Sequence, residues 1–253
     1  MRKFKSIIRS LRDLSQRIYI NSLFSFLSYI AGIKLWKEVS KCKNLEDLSI
    51  LARYCEITPF RGSRFKIVLE SMQVKSEIIE FLKKYLRHNP KYILEIGTAK
   101  GGTLFLLTHL AVRNSKIISL DLPGGEFGAG YPRYKIPFYK NFARNNRQIN
   151  LIRGNSHHPL SKRRVLKKLK GNKLDVLFID GDHTYDGAKK DFTQYKSLLR
   201  KGGMIIFHDI VVHPKESNCD VNSLWNELKL HYEYKEFVED WNQLWGGIGI
   251  LYV

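Results

Sequence analysis

Tyr92-Ile93-Leu94-Glu95-Ile96-Gly97-Thr98-Ala99-Lys100-Gly101-Gly102-Thr103 is the stretch that decides the fold of this chain. A short apolar run bounded by turn residues reads as a buried strand. The glycines that follow let the backbone turn tightly and approach a ligand. Residues 102–113 then read as a helix. Strand, glycine turn and helix make the opening unit of an α/β sheet. No Gly-Lys-Ser/Thr follows, so the turn is not a phosphate-cradling P-loop. Gly97, Ala99 and Gly102 leave a degenerate dinucleotide fingerprint open, and a plain tight turn would look the same. Glu95, two residues before the first glycine, is less expected of a dinucleotide site and suits a ligand with a cationic amino acid group.

Outward from this stretch the pattern keeps alternating. Residues 116–120, 149–153, 174–179 and 204–207 read as strands, and 185–199 as a helix. A turn at Gly202-Gly203 precedes the last of those strands. A helix carrying Val221, Leu224, Trp225 and Leu228 follows, and 232–239 and 248–253 read as closing strands. Near-continuous apolar strands separated by helices imply a doubly wound, mostly parallel sheet covered on both faces. Upstream, Val74, Ile78, Phe81, Leu82 and Tyr85 recur at helical spacing, giving a lead-in helix at 71–88 that stops near Asn89-Pro90. Residues 58–65 read as a break, and 1–57 as an extension of two or three helices. The expected organisation is therefore an extension over 1–57 and an α/β sheet domain over 58–253.

Ligands of such sheets bind beyond the carboxyl ends of the strands. Asp121 follows the second strand, where a carboxylate can accept from both hydroxyls of a ribose. Gly154-Asn155-Ser156 follows the third and suits an adenine pocket. Asp180-Gly181-Asp182-His183 follows the fourth, and His208-Asp209 the fifth. Acids and histidines at successive strand ends are not what a random surface offers.

These segments resemble the class I S-adenosylmethionine-dependent methyltransferases, over roughly the last two-thirds of the chain. The subgroup is similar to metal-assisted sugar O-methyltransferases and cephalosporin-hydroxylase-like proteins. The matching runs are 93–103, Ser119-Leu120-Asp121-Leu122-Pro123-Gly124-Gly125, Phe178-Ile179-Asp180-Gly181-Asp182-His183-Thr184-Tyr185 and Phe207-His208-Asp209-Ile210. The resemblance implies a seven-stranded sheet with its last strand antiparallel. It implies S-adenosylmethionine as cofactor, with Glu95 and Gly97 near the methionine part and Asp121 on the ribose. Thr98, Ala99, Gly101, Thr103, Ser156 and Asp180 complete the expected cofactor set. It further implies a divalent metal, Mg2+, on Asp180, His208 and Asp209. His208 departs from the commoner acid, and a nitrogen donor suits a transition metal better than Mg2+. Asp182 is the expected general base by this resemblance, with His183 as the second candidate. Both could instead cap the helix that follows.

The 253-residue chain is 43% hydrophobic and carries a net charge of +19. Such a charge favours anionic surroundings or reflects a lysine-rich background. A nucleic-acid methylase is disfavoured, because no Asn/Asp-Pro-Pro-aromatic run and no Pro-Cys pair stand at the strand ends. A nicotinamide oxidoreductase or a non-catalytic binding domain could be built on the same kind of sheet. A small-molecule or glycan hydroxyl is the expected acceptor. Cys42, Cys55 and Cys219 are far apart, which argues against a structural zinc site or a disulfide framework and fits a cytoplasmic, reducing setting. Residues 18–33 carry no charge and follow Arg2, Lys3, Lys5, Arg9, Arg12 and Arg17. The run is short for a bilayer span, so it reads as a helix lying on an anionic membrane surface or packed on the catalytic domain. The loop at 124–132 is long and glycine-rich, as active-site lids often are. Trp241 and Trp245 read first as core or edge packing and second as a sugar-stacking surface. His157-His158 reads first as solvated and second as lining the cofactor.

Overall fold

The structure, a computed structural model, describes residues 2–124 and 130–253, with backbone alone for 2–19. The basic side chains of the first 17 residues and the centre of the glycine-rich loop, 125–129, lie outside the described residues. The helices are α1 (Arg2–Val39), α2 (Leu45–Tyr54), α3 (Lys75–His88), α4 (Gly102–Leu110), α5 (Ile136–Lys140), α6 (Pro159–Leu169), α7 (Tyr185–Tyr195) and α8 (Val221–Leu228). The strands are β1 (Cys55–Ile57), β2 (Ile67–Leu69), β3 (Tyr92–Ile96), β4 (Lys116–Asp121), β5 (Gln148–Arg153), β6 (Leu174–Ile179), β7 (Leu199–His208), β8 (Glu233–Phe237) and β9 (Ile248–Tyr252).

Seven strands form the central sheet in the order β5-β4-β3-β6-β7-β9-β8. The first five pair in parallel, and β9 runs antiparallel to both of its neighbours. The period of two sends alternate side chains to opposite faces. Ile93, Ile117, Ile149, Val176 and Ile206 join one apolar core. Leu94, Ile118, Ile152, Leu177 and Ile205 join the other. Each such side chain contributes roughly 1.5–3 kcal/mol when fully buried, so both faces must be covered. Residues of α2, α3, α4 and α5 pack into the first core, and residues of α6, α7 and α8 into the second. This is the doubly wound seven-stranded sheet expected from the sequence.

The lead-in helix starts at Lys75, four residues later than the pattern suggested. It ends as expected, with Asn89 in the left-handed region at φ 49°. Three other boundaries also differ. The helix expected over 102–113 stops at Leu110, because Ala111 is already extended (φ −63°, ψ 157°). The helix expected over 185–199 ends at Tyr195 and closes with a 3-10 turn over Lys196–Leu198. Gly202-Gly203, read as a turn, lies inside β7, whose pairing with β6 shifts register between Leu174 and Val176. The antiparallel β1–β2 pair spans the break at 58–65 and was not expected from sequence. Three-residue strands carry too little periodicity to be seen, and their pairing is tertiary.

The described second half of α1 docks on the domain. Ala31 and Leu35 are fully buried. Trp36 Nε1 donates to the Asn141 carbonyl at 2.8 Å, beside α5. Phe24 stacks on Phe65 with ring centroids 5.2 Å apart. The opposite side of the helix keeps Ile20, Leu23, Phe26, Tyr29 and Ile33 exposed. Among the described residues, no helix is long and apolar enough to cross a membrane.

Candidate active site

The site is built where β3, β4, β6 and β7 end. After β3 the chain turns through Gly97 at φ 88°, Ala99 at φ 43° and Gly101 at φ 84°. A Cβ on Gly97 would lie 1.8 Å from the Asp180 carbonyl oxygen. Glycine is therefore demanded by the protein's own packing of this turn against the end of β6, before any ligand is considered. Tyr139 of α5 braces the turn, its hydroxyl donating to the Ala99 carbonyl at 2.8 Å.

Asp121 ends β4 and holds the same turn. Its carboxylate accepts from the backbone N–H groups of Thr98 (3.1 Å), Ala99 (2.8 Å) and Leu122 (2.8 Å). Burial raises its pKa, and those backbone bonds offset only part of the shift. Glu95 lies beneath the turn, fully buried. Its Oε2 accepts from the Thr98 hydroxyl at 2.7 Å, while Oε1 has no partner. Burial pushes its carboxyl well above the usual range. Glu95 therefore braces Thr98 from below and does not open onto a cavity in this structure.

Two cavities flank this turn. The first, of about 270 Å³, is lined by Leu120, Asp121, Asn155, Ser156, His157 and Asp182 among others. The second, of about 350 Å³, is lined by Met72, Gln73, Thr103, Asp180, His208 and Trp245 among others. Gly97, Asp121 and Gly181 line both. The expected residues thus divide. Ser156 and Asp182 face the first cavity, whereas Thr98, Ala99, Thr103, Asp180, His183, His208 and Asp209 face the second. Gly101 lines neither and packs on the Tyr139 ring.

Asp182 and His183 are neighbours with different surroundings. Asp182 Oδ1 accepts from the Thr184 backbone at 3.1 Å and from the Thr184 hydroxyl at 2.7 Å. Thr184 in turn caps α7 through the Gly187 N–H. His183 Nδ1 lies 2.8 Å from Asp209 Oδ2, and its Nε2 lies 3.8 Å from Asp180 Oδ1. Burial would lower its pKa, yet bonding to Asp209 and Cys219 and the Asp180 charge push it up to about 10.

Asp209 sits at the centre of this cluster at φ 63°, a left-handed geometry costing of order 1–3 kcal/mol for a non-glycine residue. Oδ1 is approached by His208 Nδ1 at 3.1 Å and by His213 Nε2 at 3.2 Å. It also accepts from the Gly246 N–H. Burial would raise the Asp209 pKa, but the His208 charge and the bonds from three imidazoles hold it well below the usual range. His208 Nδ1 also stands 3.2 Å from Asp180 Oδ1. Neither ring nitrogen of this buried histidine has an aligned hydrogen-bond partner.

Donor atoms of Asp180, His208 and Asp209 all lie within 4.8 Å of one another. A divalent cation would satisfy the unaligned His208 nitrogen and the carboxylates together, and an imidazole donor favours a transition metal over Mg2+. The sequence reading missed Gln73, His213 and Cys219 here. Gln73 is 2% exposed; it accepts from Thr103 and donates to Asp180 Oδ2 at 3.0 Å. No motif marks a lone glutamine upstream of the sheet. His213 and Cys219 follow β7 in a segment where only a His near a Cys hinted at chemistry. Trp245 is an exposed wall of the second cavity, not core packing. His158 caps α6 by accepting from Leu160 N, and His157 lines the first cavity.

The family model described as Methyltransferase domain matches residues 94–210, from β3 to just past β7. Uncharacterized protein R132 of Acanthamoeba polyphaga mimivirus is 32% identical over 173 residues, 65% of this chain and 71% of that protein. Among solved structures, an O-methyltransferase from Bacillus cereus in complex with SAH superposes with a TM-score of 0.53 at 17% identity, covering 74% of this chain and 84% of that one. The O-methyltransferase TomG from Streptomyces achromogenes, involved in tomaymycin synthesis and solved with SAM, gives 0.50 at 14% identity, covering 71% and 79%. At such identities the likeness is one of fold. The order of the strands, the glycine turn with its acid and the matched family model agree: the chain belongs to the class I S-adenosylmethionine-dependent methyltransferases.

Proposed function

We propose that this methyltransferase acts on a hydroxyl oxygen of a small molecule or glycan seated in the second cavity, assisted by a divalent cation on Asp180, His208 and Asp209. The observation that carries this reading is the shared wall of Gly97, Asp121 and Gly181, across which a cofactor bound in the first cavity would face the acid–imidazole cluster in the second. S-Adenosylmethionine supplies a methyl carbon on a positively charged sulfur. The chain's part is to hold an oxygen in line with that carbon and to receive its proton. A bound cation would supply a lowered hydroxyl pKa. Asp180 and His183 border the second cavity, whereas Asp182 borders the first and is engaged at the start of α7. The raised pKa of His183 keeps its imidazole already protonated, so we assign the proton to a carboxylate of the cluster rather than to Asp182. Asp121 and Ser156 would bind the ribose and adenine ends of the cofactor.

The test is incubation with methyl-labelled S-adenosylmethionine and an extract of the source cells, with and without excess chelator. Label should enter a metabolite or glycan fraction and disappear with chelator. Label in RNA would refute the acceptor class, and label indifferent to chelator would refute the cation. A second reading concerns attachment. The exposed Leu23, Phe26, Tyr29 and Ile33 of α1 follow a strongly basic stretch of sequence, which supports peripheral contact with an anionic membrane.

A further inference from the structure

Cys219 comes from the segment between β7 and α8, far from the strand-end motifs, yet it lines the second cavity with His183 and Asp209. The Cys219 sulfur, an Asp209 carboxylate oxygen and a His183 ring nitrogen all lie within 4.8 Å of one another. His213, also from this segment, holds Asp209 Oδ1 at 3.2 Å, while its own Nδ1 meets the Val211 carbonyl at 2.9 Å. That second bond fixes the ring and so the orientation of the carboxylate, as the partners of metal ligands commonly do.

We propose that His183, Asp209 and Cys219 form a cation position of their own, selective for zinc-class ions over Mg2+. It rests on the function proposed above only through the shared Asp209. The donor set is one nitrogen, one oxygen and one sulfur. A thiolate selects zinc and its neighbours, whereas Mg2+ takes oxygen ligands. Three protein ligands leave a fourth tetrahedral place open toward the cavity, the arrangement of zinc sites that bind a substrate or water. Such a position would draw an acceptor oxygen toward the side where Gly97 and Gly181 meet the cofactor cavity. The far-apart spacing of the cysteines had argued against zinc, but that argument covers sites built from paired cysteines. This position needs only one.

The probe is Co2+, which reports its ligands optically. Chelator-treated protein is titrated with Co2+ in the presence of millimolar Mg2+, and the near-ultraviolet thiolate-to-cobalt band is recorded. Wild type should show the band at about one equivalent, and Zn2+ should abolish it by displacement. Cys219→Ser should lose the band, while Asp180→Asn should retain it. Retention in Asp180→Asn separates this position from the one on Asp180, His208 and Asp209, whose failure alone would leave the band intact. Protection of Cys219 from alkylation by Zn2+, read by peptide mass spectrometry on wild type, gives a second measurement that does not depend on a variant folding. The proposal is overturned by cobalt binding without the band, by an unchanged band in Cys219→Ser, or by alkylation of Cys219 at the same rate with and without Zn2+.

Discussion

Replacing Asp191 by Asn should flatten part of the pH dependence of stability. Asp191 lies on α7, fully buried beneath the first cavity, 3.5 Å from His157 Nε2. Neither carboxylate oxygen has an aligned hydrogen-bond partner. Burial, reinforced by the charge of Asp182, raises its pKa from 3.8 to about 7. The folded state thus keeps a proton that the unfolded state has already lost, so stability falls as pH rises between 3.8 and about 7. A gap of about 3 units at about 1.4 kcal/mol each amounts to roughly 4 kcal/mol, of which about 3 kcal/mol falls between about pH 5 and about pH 8. Asn has nearly the shape of the protonated acid and no charge to bury. For a domain of this size about 1 kcal/mol moves Tm by roughly 2–4 °C. The Tm of Asp191→Asn should therefore gain on wild type by roughly 6–12 °C across that pH interval, without cofactor present. Parallel Tm profiles for the two proteins over the same interval would falsify the assignment of a buried, protonated Asp191.

Gly97→Ala places a Cβ against the Asp180 carbonyl and a side chain at positive φ, so we expect a loss of roughly 2–6 kcal/mol; a Tm unchanged within error would show that the turn is not so confined. Asp121→Ala leaves three backbone donors without their acceptor and should weaken S-adenosylmethionine binding by about 30- to 150-fold, the equivalent of roughly 2–3 kcal/mol. Calorimetry giving wild-type affinity would remove Asp121 from the cofactor site. Leu23→Glu combined with Phe26→Glu alters only exposed positions of α1 and should abolish sedimentation with phosphatidylserine vesicles while leaving Tm within about 2 °C, since surface changes usually stay within about 0.5 kcal/mol. Equal sedimentation of both proteins would dismiss the membrane reading.

The sheet was legible because each of its five parallel strands announces itself twice, once as an apolar run and once by the polar residue at its carboxyl end. Asp121, Asp180 and Asp209 could be placed on one edge from spacing alone. What spacing could not say is which way each end turns. Asp182 and His183 are adjacent in sequence, yet the chain directs one toward each cavity. Glu95 looked like a ligand group because of its position before Gly97, but its strand alternation sends it under the turn. Gln73 and Cys219 reach the site from segments outside the alternating pattern, so no periodicity marks them. The pair β1–β2 escaped notice for the related reason that three-residue strands are stabilised by partners and not by their own composition.

Because β9 lies between β7 and β8, the position that joins β8 to the sheet is filled by the strand that follows both of them in the chain. Until residues 248–252 emerge, β7 presents an unpaired edge and β8 has no neighbour to pair with. An exposed apolar edge is a template for pairing with other chains. Synthesis therefore passes through an interval in which the cofactor half of the sheet, β3 to β6, can already be assembled while the half that carries His208 and Asp209 remains open on one side. Substitutions within β9 should therefore lower yield more than their effect on the finished molecule's stability would suggest.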